Sequence, residues 1–201
     1  VQTIQTMMKR MEDNFDHRFW TGSSYRSPDY KGESDDRGNA LAVVSGLASK
    51  DKYPALKTLL TTEYHASPYM EKYVLEALFC MDATDEALDR IRKRYKTMVE
   101  YPGLTTLPEN WIDETKQLKP GEPMINAFWG TYNHGWSGGP LTLLSQKVCG
   151  IEPTSPGFRT FRIRPQMGYL KQASCHVSSV SGEISVNIQR KGKKLQIDVT
   201  V

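Results

Sequence analysis

Leu141 to Gln166, LTLLSQKVCGIEPTSPGFRTFRIRPQ, holds two sequence grammars end to end. Its first part closes an apolar helical run that begins near His134, reaches Val148 and stops at Gly150, the residue type that most readily ends a helix in the left-handed conformation. Past Pro153 the period changes. Phe161-Arg162-Ile163-Arg164 alternates apolar and polar residues, the pattern of a strand with one buried face. A boundary therefore falls near residues 150–157, with helices expected before it and antiparallel strands after it. The fold class that follows is α+β, with more than one domain.

Upstream, five further helices are legible. From Val1 to about Arg18, Ile4, Met7, Met8, Met11 and Phe15 recur at helical spacing. A loop rich in Gly, Ser and Pro follows, Thr21 to Glu33. Ser34 or Asp35 then caps a helix over Asp36 to Ala48, with Ala40, Leu41, Val43, Val44 and Leu47 as its buried stripe. Tyr53 to Thr62 is the next (Leu56, Leu59, Leu60). Ser67-Pro68 supplies a cap and a first-turn proline for Tyr69 to Met81. Thr84 or Asp85 opens the last of the five, through Val99, with Ala87, Leu88, Ile91, Tyr95 and Met98 in phase. No repeat is visible, which argues against a repeat solenoid. Downstream, Glu183–Ile188 and Leu195–Val199 alternate like Phe161–Arg164, and turn signals stand at Gly168, Ser181-Gly182 and Lys191-Gly192-Lys193. Three or four strands seldom close a sandwich, so the expectation is a chain truncated at both ends.

Composition sets the broad class. Of 201 residues, 38% are hydrophobic and 24% charged, an ordinary globular balance with enough chain for a sizeable core. Residues 1–150 are close to neutral, with 18 basic against 20 acidic groups, whereas residues 151–201 carry 8 against 3. The basic groups of the tail are dispersed, except in Arg190-Lys191-Gly192-Lys193-Lys194. That run reads as a solvated hairpin tip, so no nucleic-acid partner is expected. No apolar run reaches membrane-spanning length. Cys80, Cys149 and Cys175 are odd in number and widely spaced, which argues against a disulfide framework and against zinc. Cys80 and Cys149 read as small buried hydrophobes. No metal and no cofactor is expected.

The chemistry concentrates in Asn126 to Gln146, NAFWGTYNHGWSGGPLTLLSQ, where Trp129, Tyr132, His134 and Trp136 crowd around glycines. About twenty residues upstream, TTLPENW sets Glu109 beside Trp111. Sugars present flat C–H faces and hydroxyl rims, so a sugar site needs aromatic plates together with Asn, His or carboxylate groups. The plain alternative is that these rings are core, and that Glu109 caps a helix or sits in water. Asp35-Asp36-Arg37 has the residue types of a paired-carboxylate site but reads better as a helix cap with a local ion pair. Glu71 suits the positive end of its helix. His17 and His65 lack metal partners at useful spacing, and His176 falls in a strand of the β region.

Taken together, DDRGNALAVVSGLA, SPYMEKYVLEALF, TTLPENW, TYNHGWSGGPLTLLSQ and GIEPTSPGFRTFRIRPQM resemble the C-terminal part of the family 78 glycoside hydrolases, the bacterial α-L-rhamnosidases and their relatives. The likeness spans nearly the whole chain, with the motifs in order. It implies an (α/α)6 barrel followed by a small, sandwich-like antiparallel β domain. About six helices make half of such a barrel, so residues 1–150 would be its C-terminal half and residues 151–201 a truncated β domain. The resemblance implies an inverting hydrolase of terminal α-L-rhamnose or a related sugar in plant or bacterial glycans, in a periplasmic or secreted setting. It gives Glu109 the role of general base, and Asn133 and His134 contacts to sugar hydroxyls. Trp111, Trp129 and Trp136 are expected to add aromatic surface. The general acid of the family lies upstream of these residues, so the rest of the same polypeptide is an expected partner beside the carbohydrate. Pro108 stands where the family carries Trp, which removes an aromatic wall and a backbone donor beside the base. A non-catalytic carbohydrate-binding or degenerate hydrolase-like module, and a purely structural helical scaffold, are the competing readings.

Overall fold

The computed structural model describes residues 2–113, 122 and 129–201. Among them are six α-helices and two small antiparallel sheets, in two compact units that meet in sequence between Ala83 and Thr84. No helix among the described residues is long and apolar enough to cross a membrane.

The first unit holds α1 (Gln2–Phe19), α2 (Asp36–Val44), α3 (Tyr53–Thr62) and α4 (Pro68–Cys80). The cap signals operate as their residue types dictate. The Asp35 carboxylate accepts the Arg37 backbone N–H at 2.7 Å and also pairs with the Arg37 guanidinium, so this acidic pair begins a helix. Ser67 caps α4 at the Met70 N–H, with Pro68 in the first turn. Helix α2 is shorter than its apolar pattern suggests. It ends at Val44 because Gly46 turns into the left-handed region (φ 79°), and Ala48 folds back to donate to the Ala42 carbonyl at 2.9 Å. Of its expected buried stripe, Ala40 and Val43 are buried, Val44 and Leu47 are half-buried and Leu41 is 43% exposed, while Ala42 is buried in addition. Cys80, expected among the buried residues, is exposed at the last turn of α4.

Packing of α2 against α4 places Ala40 and Val43 in the same unit's core as Leu56, Leu60, Val74, Leu75, Leu78 and Phe79. Asn39, fully buried, ties the preceding loop to this core. Its amide oxygen accepts the Tyr25 N–H at 2.6 Å, and its amide nitrogen donates to the Tyr25 and Asp35 carbonyls. Glu71 is also fully buried, at the first turn of α4. Helix α1 differs. None of its residues is buried, and Ile4, Met7, Met8 and Met11 are 55–66% exposed. Its C-terminal end engages the rest of the unit, where the Phe15 ring lies against Tyr25 and Asp16 pairs with Lys52.

The second unit opens with α5 (Thr84–Glu100), which buries Ala87, Leu88, Tyr95 and Met98. The sixth helical stretch runs from Gly135 to Val148 but changes winding. A 3-10 turn (Gly135–Gly138) leads into α6 (Gly139–Leu143), and a π turn (Leu144–Val148) ends it. At Gly150 (φ 77°) the chain reverses into strands, and the Arg164 N–H donates to the Gly150 carbonyl at 2.9 Å. A Cβ at Gly150 would stand 2.2 Å from the Arg164 carbonyl carbon, so this position admits only glycine.

Strands β1 (Ile151–Pro153) and β2 (Phe161–Ile163) pair antiparallel, with Ile151 opposite Ile163. Strands β3 (Gln172–Ser179), β4 (Gly182–Lys191) and β5 (Lys194–Thr200) form a meander, with Val186 between Cys175 and Val199. Ile184, Val186 and Ile188 face inward and are buried. The basic run lies at the β4–β5 turn, as its composition suggests. Cys149 is buried. Burial first, and then the adjacent Cys175 thiol, pushes its thiol up to about 11.

Candidate functional site

Two irregular segments of the second unit, Leu107–Ile112 and Trp129–Ser137, lie side by side like the strands of a short zipper. The Glu109 N–H donates to the Thr131 carbonyl at 2.9 Å, and the His134 N–H donates to the Leu107 carbonyl at 2.9 Å. Side chains close the seam: Asn110 donates to the Trp129 carbonyl, and the buried Ser137 hydroxyl donates to the Pro108 carbonyl at 2.7 Å. Beneath them Tyr95, Met98 and Ile112 form a small apolar cluster, against which Leu104, Leu107 and Trp111 pack.

This zipper brings Glu109 and His134 together from positions 25 residues apart. Oε2 of Glu109 lies 3.9 Å from Nδ1 of His134. Thr131 stands between them. Its backbone N–H donates to Oε2 at 3.1 Å, and its Oγ1 lies 3.4 Å from Oε2 and 2.9 Å from Nδ1. All three groups are partly open to solvent. Gly130 makes the approach possible. It sits at φ 107°, and a Cβ there would come within 2.8 Å of Oε2 and 3.1 Å of the Glu109 Cβ.

The three tryptophans expected at the site are placed differently. Trp136 is 64% exposed and stands edge-on to the His134 ring, with centroids 5.2 Å apart. Trp129 is 75% exposed, and its carbonyl is held by Asn110. Trp111 is half-buried, edge-on to Tyr95 at 5.1 Å and covered by the Arg94 guanidinium 4.1 Å above its ring. Asn133 is exposed, and its side chain makes no hydrogen bond among the described residues. Asn126 to Phe128, which begin the aromatic stretch, lie outside the described residues. Pro108, the residue expected to leave the base without an aromatic wall, is buried.

Chemically, the arrangement offers a carboxylate held through one oxygen, an imidazole beside it and exposed indole surface nearby. Those are the parts needed to polarise a water and to hold a sugar face. Two features escaped sequence reasoning. Thr131 and Gly130 carry no catalytic signature, and only their place opposite Glu109 reveals them. In the first unit, His65 does have acidic neighbours. Its Nε2 is 3.2 Å from Glu63 Oε2, and Glu33 completes a set of donor atoms within 4.8 Å of one another, beside a cavity of about 450 Å³. The 30-residue separation of Glu33 and Glu63 hid that cluster.

Residues 150–201 match the family model of the bacterial alpha-L-rhamnosidase C-terminal domain. Comparison with curated proteins gives no match. Among solved structures, the chain is similar to a GH78 family rhamnosidase of Bacillus sp. GL1, with a TM-score of 0.72 and 21% identity over 95% of this chain and 21% of that one. It is also similar to an alpha-L-rhamnosidase of Streptomyces avermitilis solved with L-rhamnose, with a TM-score of 0.71 and 20% identity over 98% of this chain and 19% of that one. The six helices and two antiparallel sheets are thus the fold of a segment of these rhamnosidases, and the chain spans about a fifth of the length of each.

Proposed function

We propose that this chain supplies the general-base side of an inverting glycoside hydrolase that removes terminal α-L-rhamnose, or a related sugar, from a glycan. The observation that carries the reading is the placement of Glu109. Among the described residues its side-chain hydrogen bonds all go to Oε2, from the amide and hydroxyl of Thr131. Oε1 is left to accept from a water. In an inverting mechanism that water attacks the anomeric carbon as an acid protonates the departing oxygen, the two carboxyl groups standing roughly 6.5–9.5 Å apart. Here Glu109 takes the proton from water, and His134 and Asn133 contact sugar hydroxyls. Trp136 and Trp129 offer faces to the ring, while Trp111 backs the loop that carries Glu109. The acid belongs to the rest of the polypeptide.

The same proposal accounts for α1. Residues 1–150 act as the second half of an (α/α)6 barrel, and residues 151–201 as the β domain that follows it. The exposed stripe of Ile4, Met7, Met8 and Met11 is then a face that preceding helices cover. A second reading, a carbohydrate-binding or degenerate hydrolase-like module, draws on Pro108, which leaves the base without an aromatic wall.

The test is Glu109→Gln in the longer polypeptide, assayed by release of rhamnose from an aryl α-L-rhamnoside. The expected loss in kcat is about 10²–10⁴-fold with little change in KM, because the amide keeps the shape and cannot take the proton. The 201-residue chain alone should not turn over. Full turnover by the Gln variant removes the base assignment, and turnover by neither protein, with sugar binding retained, favours the second reading.

A further inference from the structure

Thr131 occupies the gap between the two groups on which the proposed site depends, and its chemistry restricts how protons can be arranged there. A threonine hydroxyl has one proton to give, a carboxylate only accepts, and a neutral imidazole carries its proton on one nitrogen or the other. Two arrangements satisfy the 2.9 Å contact between Oγ1 and Nδ1. In the first, the hydroxyl donates to Nδ1. The imidazole lone pair then faces a carboxylate oxygen 3.9 Å away, and Oγ1 meets Oε2 at 3.4 Å with no proton between them. In the second, Nδ1–H donates to Oγ1 and the hydroxyl donates to Oε2. Every gap then holds a proton, and the N–H dipole points toward the negative charge. The second arrangement is favoured on both counts.

We infer that Thr131 is a positioning residue whose hydroxyl holds His134 as the Nδ1–H tautomer and fixes Oε2 of Glu109, so that Nε2 and Oε1 both stand as acceptors. Among the described residues neither of these two atoms has a hydrogen-bond partner. The tautomer decides what His134 can recognise: an unprotonated Nε2 accepts a hydroxyl proton, whereas an Nε2–H would have to find a lone pair. The backbone supports the arrangement independently of the side chain. Gly130 lets the Thr131 amide approach Oε2 to 3.1 Å, so a Val at 131 would keep that bond and lose only the hydroxyl link. Use of the two acceptors for water and sugar rests on the glycosidase reading; the tautomer itself does not.

The test is nitrogen NMR of the chain labelled with ¹⁵N at its four histidines, recorded over a pH series so that the ¹⁵N shifts themselves identify the neutral ring and its tautomer. The His134 signals are identified by their loss in His134→Gln. The expected result is a proton on Nδ1 in the parent chain, retained in Thr131→Ser and shifted in part to Nε2 in Thr131→Val, where only the attraction of the Glu109 carboxylate is left to hold it. A parent spectrum with the proton on Nε2 overturns the inference, as does an Nδ1–H that persists unchanged in the Val variant. Should the Val variant fail to fold, the parent spectrum alone decides. Activity is not read, so loss of the base assignment through Glu109→Gln and loss of this tautomer are separate outcomes.

Discussion

Helices α1 and α4 both carry apolar residues at helical spacing and come to opposite ends. In α4, Val74, Leu75, Leu78 and Phe79 are buried, closed in by α2 and by the other apolar groups of the unit. In α1, no residue is buried, although Ile4, Met7, Met8 and Met11 line up just as regularly. Periodicity identifies a face that wants a partner; it does not say that the partner is at hand. If α1 belongs to the second half of a barrel, the difference lies outside the chain's own packing, in helices of the same polypeptide that cover it.

The sharpest way to break the comparison is to cut into α4. Phe79→Ala should cost about 3–5 kcal/mol, the usual loss for a fully enclosed ring, measured by urea unfolding. A loss under about 1 kcal/mol would mean that α4 is no better anchored than α1. Asn39→Ala comes next. It leaves the buried Tyr25 N–H without its acceptor, for a loss of about 1–3 kcal/mol read in the same urea unfolding. The smallest effect belongs to α1. Met11→Ala in the 201-residue chain should change stability by no more than about 0.5 kcal/mol, as surface substitutions do. In the longer polypeptide the same substitution should cost about 2–5 kcal/mol if preceding helices cover the stripe. Equal, negligible effects in both would show that α1 is a surface helix in its own right.

Much of the fold was legible because its signals are local. The Ser67-Pro68 cap and the Gly150 stop stand where the sequence places them, and so do the alternation of β4 and the basic β4–β5 turn. The departures come from contacts that pattern cannot see. Leu41 belongs to the helical stripe by type, yet α2 is short, and the small Ala40, Ala42 and Val43 fill its packed side instead. The last helix changes winding twice within fourteen residues, which no apolar period records. Cys149 and Cys175, read as unrelated, become neighbours because β3 packs back on the segment that precedes Gly150. At the site, the residue types of Glu109 and His134 suggested chemistry, but their meeting depends on a zipper of backbone bonds across loops. Thr131 and Gly130, the residues that set the distance, have no signature of their own.

Whether Glu109 is the base that activates water is tested most directly by removing the carboxylate and supplying a substitute. In the longer polypeptide, Glu109→Ala assayed on an aryl α-L-rhamnoside should lose about 10²–10⁴-fold in kcat. Added azide, a small nucleophile that needs no base, should restore turnover and yield the glycosyl azide of inverted anomeric configuration. Parent-like turnover in Glu109→Ala, or a rescued product of retained configuration, would contradict that role.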